Sequence, residues 1–259
     1  IKTTVDNQAE NHRLRACFPT GLKVARSAAE AAFDVINRPV IRTPDSLYYN
    51  KSNPQYPMHR FVDMSDGKLG FAVLNDGIRE FEAVDDETRT LAITLFRSFT
   101  ATQSPVIDQW DVYPWMKLSQ SLGINEWRYA LMPHQGTWQE GNLYQEVEKF
   151  LLPLETAQAG KGGGDLPKRL SFIEIGSEKI SLSALKKHEK RTTLVMRLFN
   201  PTEKQVKTQV KFQPVIKKVW ITNMNEERRE AIKLSDTHTI PLTFGKKKIL
   251  TVEVEFKKV

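Results

Sequence analysis

The segment Ile249-Leu250-Thr251-Val252-Glu253-Val254-Glu255-Phe256 alternates strictly, with Leu250, Val252, Val254 and Phe256 on one side. A period of two lines one face of a strand but scatters the same residues around a helix, so this segment reads as a half-buried sheet strand. Residues 205–212 repeat the pattern with Val206, Thr208, Val210 and Phe212, and residues 13–18 with Leu14, Ala16 and Phe18. Residues 193–199 and 217–222 read likewise. Residues 69–74 and 90–96 are more uniformly apolar, as strands buried on both faces are. Turn signals separate these runs: Ser65-Asp66-Gly67, Asn75-Asp76-Gly77, Asn200-Pro201-Thr202 and Phe244-Gly245-Lys246. Short strands so closely spaced, without long helices between them, predict β-sandwich layers.

Two segments depart from the pattern. Residues 27–34 are alanine-rich and favour a helix by propensity alone, a preference that tertiary context readily overrides. Leu143, Val147, Phe150 and Leu154 have helical spacing and predict a short helix that Pro153 ends.

With 259 residues, 40% of them apolar and 27% charged, the chain can bury one large core or two smaller ones. No stretch approaches the ~18 apolar residues that a membrane helix needs. The single Cys17 excludes an internal disulfide and fits a reducing compartment. The opening Ile1-Lys2-Thr3-Thr4-Val5 lacks both an initiator methionine and a signal-type run, so the chain reads as an excised piece of something longer.

The net charge of +7 is unevenly spread. Residues 1–159 carry 16 Lys and Arg against 20 Asp and Glu, whereas residues 160–259 carry 22 against 11, and 17 of those 22 are lysine. Lysines on the solvent side of strands keep sheet edges from pairing, while nucleic-acid surfaces mix arginine with exposed aromatics. A solvated face is therefore expected, with no nucleic-acid partner. The interruption Gly160-Lys161-Gly162-Gly163-Gly164-Asp165 coincides with the charge shift and reads as a linker. No Gly-Lys-Ser/Thr follows it, so it is not a phosphate loop.

No catalytic constellation stands out. His12, His59, His134, His188 and His238 lack the close spacings of local metal motifs, and ordinary hydrogen-bonded roles are expected of them. Cys17 is expected to be small and partly buried. Asp63/Asp66, Asp85/Asp86/Glu87 and Asp108/Asp111 pair carboxylates as a glycosidase would. All read as polar turns, without the apolar burial that tunes an acid. Asn50-Lys51-Ser52 matches a glycosylation acceptor but has no secretory signal to give it meaning. Trp110, Tyr113, Trp115, Trp127, Tyr129, Trp138 and Tyr144 crowd one stretch. They could stack on sugar rings, but core or interface packing is the simpler reading.

In order along the chain stand Asp6-Asn7, Asn11-His12-Arg13-Leu14-Arg15, Phe33-Asp34-Val35 with Arg38-Pro39, and His59-Arg60-Phe61-Val62-Asp63. Then come residues 70–81, Gly-Phe-Ala-Val-Leu-Asn-Asp-Gly-Ile-Arg-Glu-Phe, and Leu91-Ala92-Ile93-Thr94-Leu95-Phe96-Arg97-Ser98. Arg128-Tyr129-Ala130-Leu131-Met132-Pro133-His134 and Arg197-Leu198-Phe199-Asn200-Pro201-Thr202 complete the set. This series resembles the C-terminal β-region of glycoside hydrolase family 38, the α-mannosidases, in its bacterial branch. Asn11 departs from it, standing where the family pattern has aspartate.

The resemblance implies a mainly β fold: a large galactose-mutarotase-like supersandwich over 1–160, a linker over 161–167, and a smaller immunoglobulin-like sandwich over 168–259. The first sandwich is expected to be truncated, with an open edge that favours self-association. The implied parent is a zinc-dependent, retaining, cytoplasmic exo-α-mannosidase whose ligands and catalytic carboxyls lie in a preceding domain. That leaves this chain no catalytic residue, metal or cofactor of its own. Its implied partners are that catalytic domain and, through it, an α-mannoside or a mannosylglycerate-like compound. Asn75, Asp76, Gly77 and Arg97 are the candidates for a loop near the substrate.

Overall fold

The computed structural model describes residues 1–41, 54–103, 110–113, 115–160, 162–165 and 167–257. They divide into two compact units, Ile1–Leu152 and Pro153–Val259. Both are built mainly of antiparallel strands.

The first unit holds β1 (Lys2–Asn7), β2 (Arg13–Pro19), β3 (Arg26–Ala31), β4 (Asp34–Pro39), β5 (Tyr56–Pro57) and β6 (Phe61–Ser65). These are followed by β7 (Leu69–Asp76), β8 (Glu80–Ala83), β9 (Thr90–Arg97), β10 (Ala101–Gln103), β11 (Trp110–Val112) and β12 (Gly123–Gln135). A six-stranded sheet runs β1-β12-β7-β6-β3-β4 and a four-stranded sheet β2-β9-β8-β5, with β10 and β11 as a separate ribbon. Ala29, Val62, Met64, Val73 and Tyr129 of the larger sheet meet Phe81, Leu91, Ile93 and Leu95 of the smaller in one core. Leu14, Ala16 and Phe18 pack against it from β2, as their alternation predicts.

Residues 27–34 are not a helix. They form most of β3 and the turn into β4, and β3 pairs with both β4 and β6. Serine and alanine at 27–29 are small enough to be buried on both faces of a strand, and sheet pairing overrides the helical propensity. The predicted helix does form, as α1 (Leu143–Leu151). It buries Leu143, Tyr144 and Val147, and Tyr144 meets Phe61 edge-on at 5.4 Å on the outer face of the six-stranded sheet.

The second unit is a sandwich of three and five strands. It comprises β13 (Ile173–Ile175), β14 (Ser181–Lys187), β15 (Leu194–Phe199) and β16 (Val206–Phe212). The chain continues through β17 (Ile216–Thr222), β18 (Arg228–Ala231), β19 (Thr239–Phe244) and β20 (Ile249–Phe256). The sheets run β13-β16-β19 and β14-β15-β20-β17-β18. Val206, Val210 and Phe212 face Met196, Leu198, Val219, Val252 and Val254 in their shared core. Lys207 and Lys211 alternate outward on β16, and Lys217 and Lys218 are both exposed on β17 where its register shifts.

Candidate functional site

Outward from the six-stranded sheet runs a cross-strand row of Asn37, Ala28, Asp63 and Ala72, register partners on β4, β3, β6 and β7. Asp63 is therefore a buried strand residue and not part of a polar turn, correcting the sequence-based expectation; only Asp66 caps the turn that follows, by accepting from the backbone of Lys68 and Leu69. His134 lies two strands away on β12, yet its Nε2 stands 2.9 Å from Asp63 Oδ1. The strand between them carries Gly70 opposite His134, and a Cβ there would lie 2.1 Å from the imidazole Cε1. Gly141 also crowds the ring, where a Cβ would fall 2.6 Å from Nδ1. Two glycines thus make room for an imidazole that spans β7, with 3% of its side chain exposed against 2% for Asp63.

Burial pushes the Asp63 carboxyl up, and the His134 hydrogen bond offsets only part of that. Burial alone would lower His134, but the hydrogen bond and charge of Asp63 outweigh it and hold the imidazolium above its usual range. Beside the pair opens a recess of about 300 Å³, lined by Arg26, Ala28, Asn37, Asp63, Ser65, Thr137, Trp138 and Gln139. It exists because the row is small at its centre: Ala28 leaves the space between Asn37 and Asp63 unfilled. Trp138 is fixed by Phe61 at 6.5 Å and Tyr144 at 6.0 Å between ring centroids. Sequence reasoning did not find this site. Its one legible signal is Gly70, since a glycine within a strand marks a close approach.

The four loop candidates are placed differently. Asn75 is fully buried; its Nδ2 donates to the His59 carbonyl and its Oδ1 accepts from the Ile78 backbone, so its side chain shapes the turn from within. Asp76 is exposed, 3.7 Å from Arg128. Gly77 has φ +93°, which demands glycine, and open space around it. Arg97 ends β9 half exposed and donates to Glu80 at 2.8 and 3.1 Å. Glu80 begins the strand after the turn and also accepts from Thr94, while Arg13 stands 3.5 Å away and Arg15 binds Glu82 at 2.7 Å. The arginines of the His12-Arg13-Leu14-Arg15 motif therefore share one charge network with Arg97. Asn11, the departure from the family pattern, has φ +56°, which asparagine tolerates, and accepts from Thr100 and Gln120.

Asp85 pairs with Arg89, and Asp86 accepts from the Thr90 backbone, both in a turn. Asp108 and Asn50-Lys51-Ser52 lie outside the described residues. Cys17 is exposed and not partly buried, because Ala16 and Phe18 take the inward positions of β2. The aromatic stretch is split: Trp127 stacks on Phe96 at 5.7 Å, Tyr129 joins the core, and Trp138 and Tyr144 surround Phe61. Trp115 is 71% exposed and meets Tyr113 edge-on. Among the described residues no three His, Cys, Asp or Glu side chains gather as a metal site requires. No helix among the described residues is long and apolar enough to cross a membrane.

In the second unit, Glu253 alternates outward on β20 yet has no exposed side-chain surface. Arg191 and Arg228 each reach it at 2.7 Å, and Thr193 donates at 2.7 Å. Burial would raise this carboxyl, but those donors bring it down to about 2. Arg228 also lies 3.5 Å over the Trp220 ring.

Antiparallel β-sandwiches, with many of their charged groups tied up in structural pairs, define the class of all-β domains to which both units belong. The sequence profile described as the C-terminal domain of glycosyl hydrolases family 38 matches residues 1–105, and that family's C-terminal beta sandwich domain matches residues 179–252. The chain belongs to glycoside hydrolase family 38, of which it carries the C-terminal β-domains. It is 28% identical over 203 residues to a Halalkalibacterium halodurans protein named as a mannosylglycerate hydrolase, across 78% of this chain and 21% of that one. Mouse alpha-mannosidase 2C1 is 23% identical over 241 residues, across 91% of this chain and 21% of its own. The crystal structure of an alpha-mannosidase from Enterococcus faecalis V583 superposes with a TM-score of 0.78 at 25% identity, across 98% of this chain and 27% of that one. The chain spans about a fifth of the length of the curated relatives it matches.

Proposed function

We propose that this chain is the accessory β-region of a cytoplasmic, zinc-dependent, retaining exo-α-mannosidase, packing on a catalytic domain and inactive by itself. The observation that carries this reading is the ordered match of two C-terminal profiles of one hydrolase family to the two units. In the proposed parent, zinc would polarise sugar hydroxyls, with ligands supplied from outside this chain. This chain would contribute shape at the substrate pocket. Asp76, Gly77 and Arg97 are available for it, with Asn75 bracing the turn from inside. Arg97 is half exposed and already oriented by Glu80, so its remaining N–H groups can donate to sugar hydroxyls. The outer edge of β1 has no strand partner among the described residues, which favours self-association of the isolated chain.

Mannosylglycerate is the second substrate reading, supported by the name of the Halalkalibacterium relative. The test is zinc-supplemented hydrolysis of a chromogenic α-mannoside and of mannosylglycerate, by the full-length protein and by this chain. Turnover by the full-length protein alone, on either substrate, is the expected result. Turnover by this chain overturns the accessory role.

A further inference from the structure

We propose that the recess beside Asp63 and Trp138 binds a single pyranose ring of a neutral saccharide. This rests on the recess itself and stands whether or not the parent is a mannosidase.

The volume of about 300 Å³ lies at the lower end of ligand pockets, room for one ring and not for a chain. Its lining is chemically mixed. Arg26 and Asn37 offer N–H donors at one side, and the Asp63 carboxylate offers acceptor capacity at the floor. A carboxylate takes about four hydrogen bonds, of which His134 and the Met64 backbone supply two. Sugar hydroxyls donate and accept at once, so they can satisfy both kinds of group. The half-buried Trp138 supplies an apolar ring face of the kind on which a pyranose C–H face stacks.

Preorganisation is visible on every side. Trp138 is held by Phe61 and Tyr144, Asp63 by His134, and Arg26 by a 3.1 Å bond to the Asn37 carbonyl. Side chains locked by their neighbours lose little entropy on binding.

The experiment is calorimetric titration of this chain with mannose, glucose, galactose and their methyl glycosides. Wild type, Ala28→Leu, Asn37→Leu and Trp138→Ala are compared, with thermal midpoints recorded for each. The expected result is saturable binding of at least one sugar, with a dissociation constant on the order of 1–10 mM. It should weaken at least tenfold in Ala28→Leu. Asn37 is exposed, so Asn37→Leu decides the matter with the same tenfold loss if Ala28→Leu fails to fold. Absence of saturable binding up to about 100 mM overturns the proposal. So does binding that neither Ala28→Leu nor Asn37→Leu weakens, which would place the sugar elsewhere.

Discussion

Gly70 does more for the first unit than its size suggests. A side chain there would drive the His134 ring off Asp63, and Gly141 crowds the ring as well. Gly70→Ala is therefore expected to combine overpacking with a broken buried pair, destabilising by about 3 kcal/mol in urea unfolding. His134 also gives the unit a pH dependence of known sign. Its folded value is raised, so its contribution is complete below about pH 6.5 and fades as pH rises through that raised value. Burial raises Asp63 as well, so its ionisation in the folded state costs stability in the same direction. The stability difference between wild type and Asp63→Asn should be largest near pH 6 and shrink toward pH 9. A difference that grows over that range would mean that the pair is not charged.

At the scale of elements, β20 joins two roles on alternate residues. Val252 and Val254 build the core, while Glu253 binds β20 to β18 through Arg228 and to the 191–193 segment through Arg191 and Thr193. With its carboxyl near pH 2 in the folded state, Glu253 stabilises fully above about pH 4.5 and loses that contribution as pH falls through about 2. Glu253→Ala should cost about 3 kcal/mol at neutral pH and flatten the acid limb of unfolding measured by circular dichroism.

The inward face of β20 was legible from its alternation, but the burial of Glu253 was not. Two arginines distant in sequence cover it, and nothing local announces them. The same limit explains β3, whose alanines favour a helix by themselves and become a strand only because β4 and β6 pair on either side. Asp63 misleads in the same way, because it stands three residues before a true turn acid. α1 was legible because Leu143 and Val147 sit one turn apart on the face it buries.

For the molecule as a whole, the excess positive charge belongs to residues 160–259, where outward lysines on β16 and β17 leave the shared core untouched. Charge of this kind governs solubility more than fold. The open edge of β1 belongs to the other unit, so self-association through it should respond to β1 alone. Sedimentation velocity should show concentration-dependent dimers of wild type, which Thr4→Pro abolishes by removing an outward N–H, because Ile1 and Tyr129 exchange both backbone bonds and the even residues of β1 therefore face away from β12. A wild-type monomer at every concentration would count against edge pairing.

The ring of His134, packed against two glycine backbones, acts as a shim. Its contacts with Gly70 and Gly141 tie the 136–142 segment, which carries Trp138 as the roof of the recess, to β7. Substitutions at 70, 134 and 141 are therefore not three independent changes. Thinning or thickening any one of them re-levels the roof, and only a compensating change at another restores the recess below it.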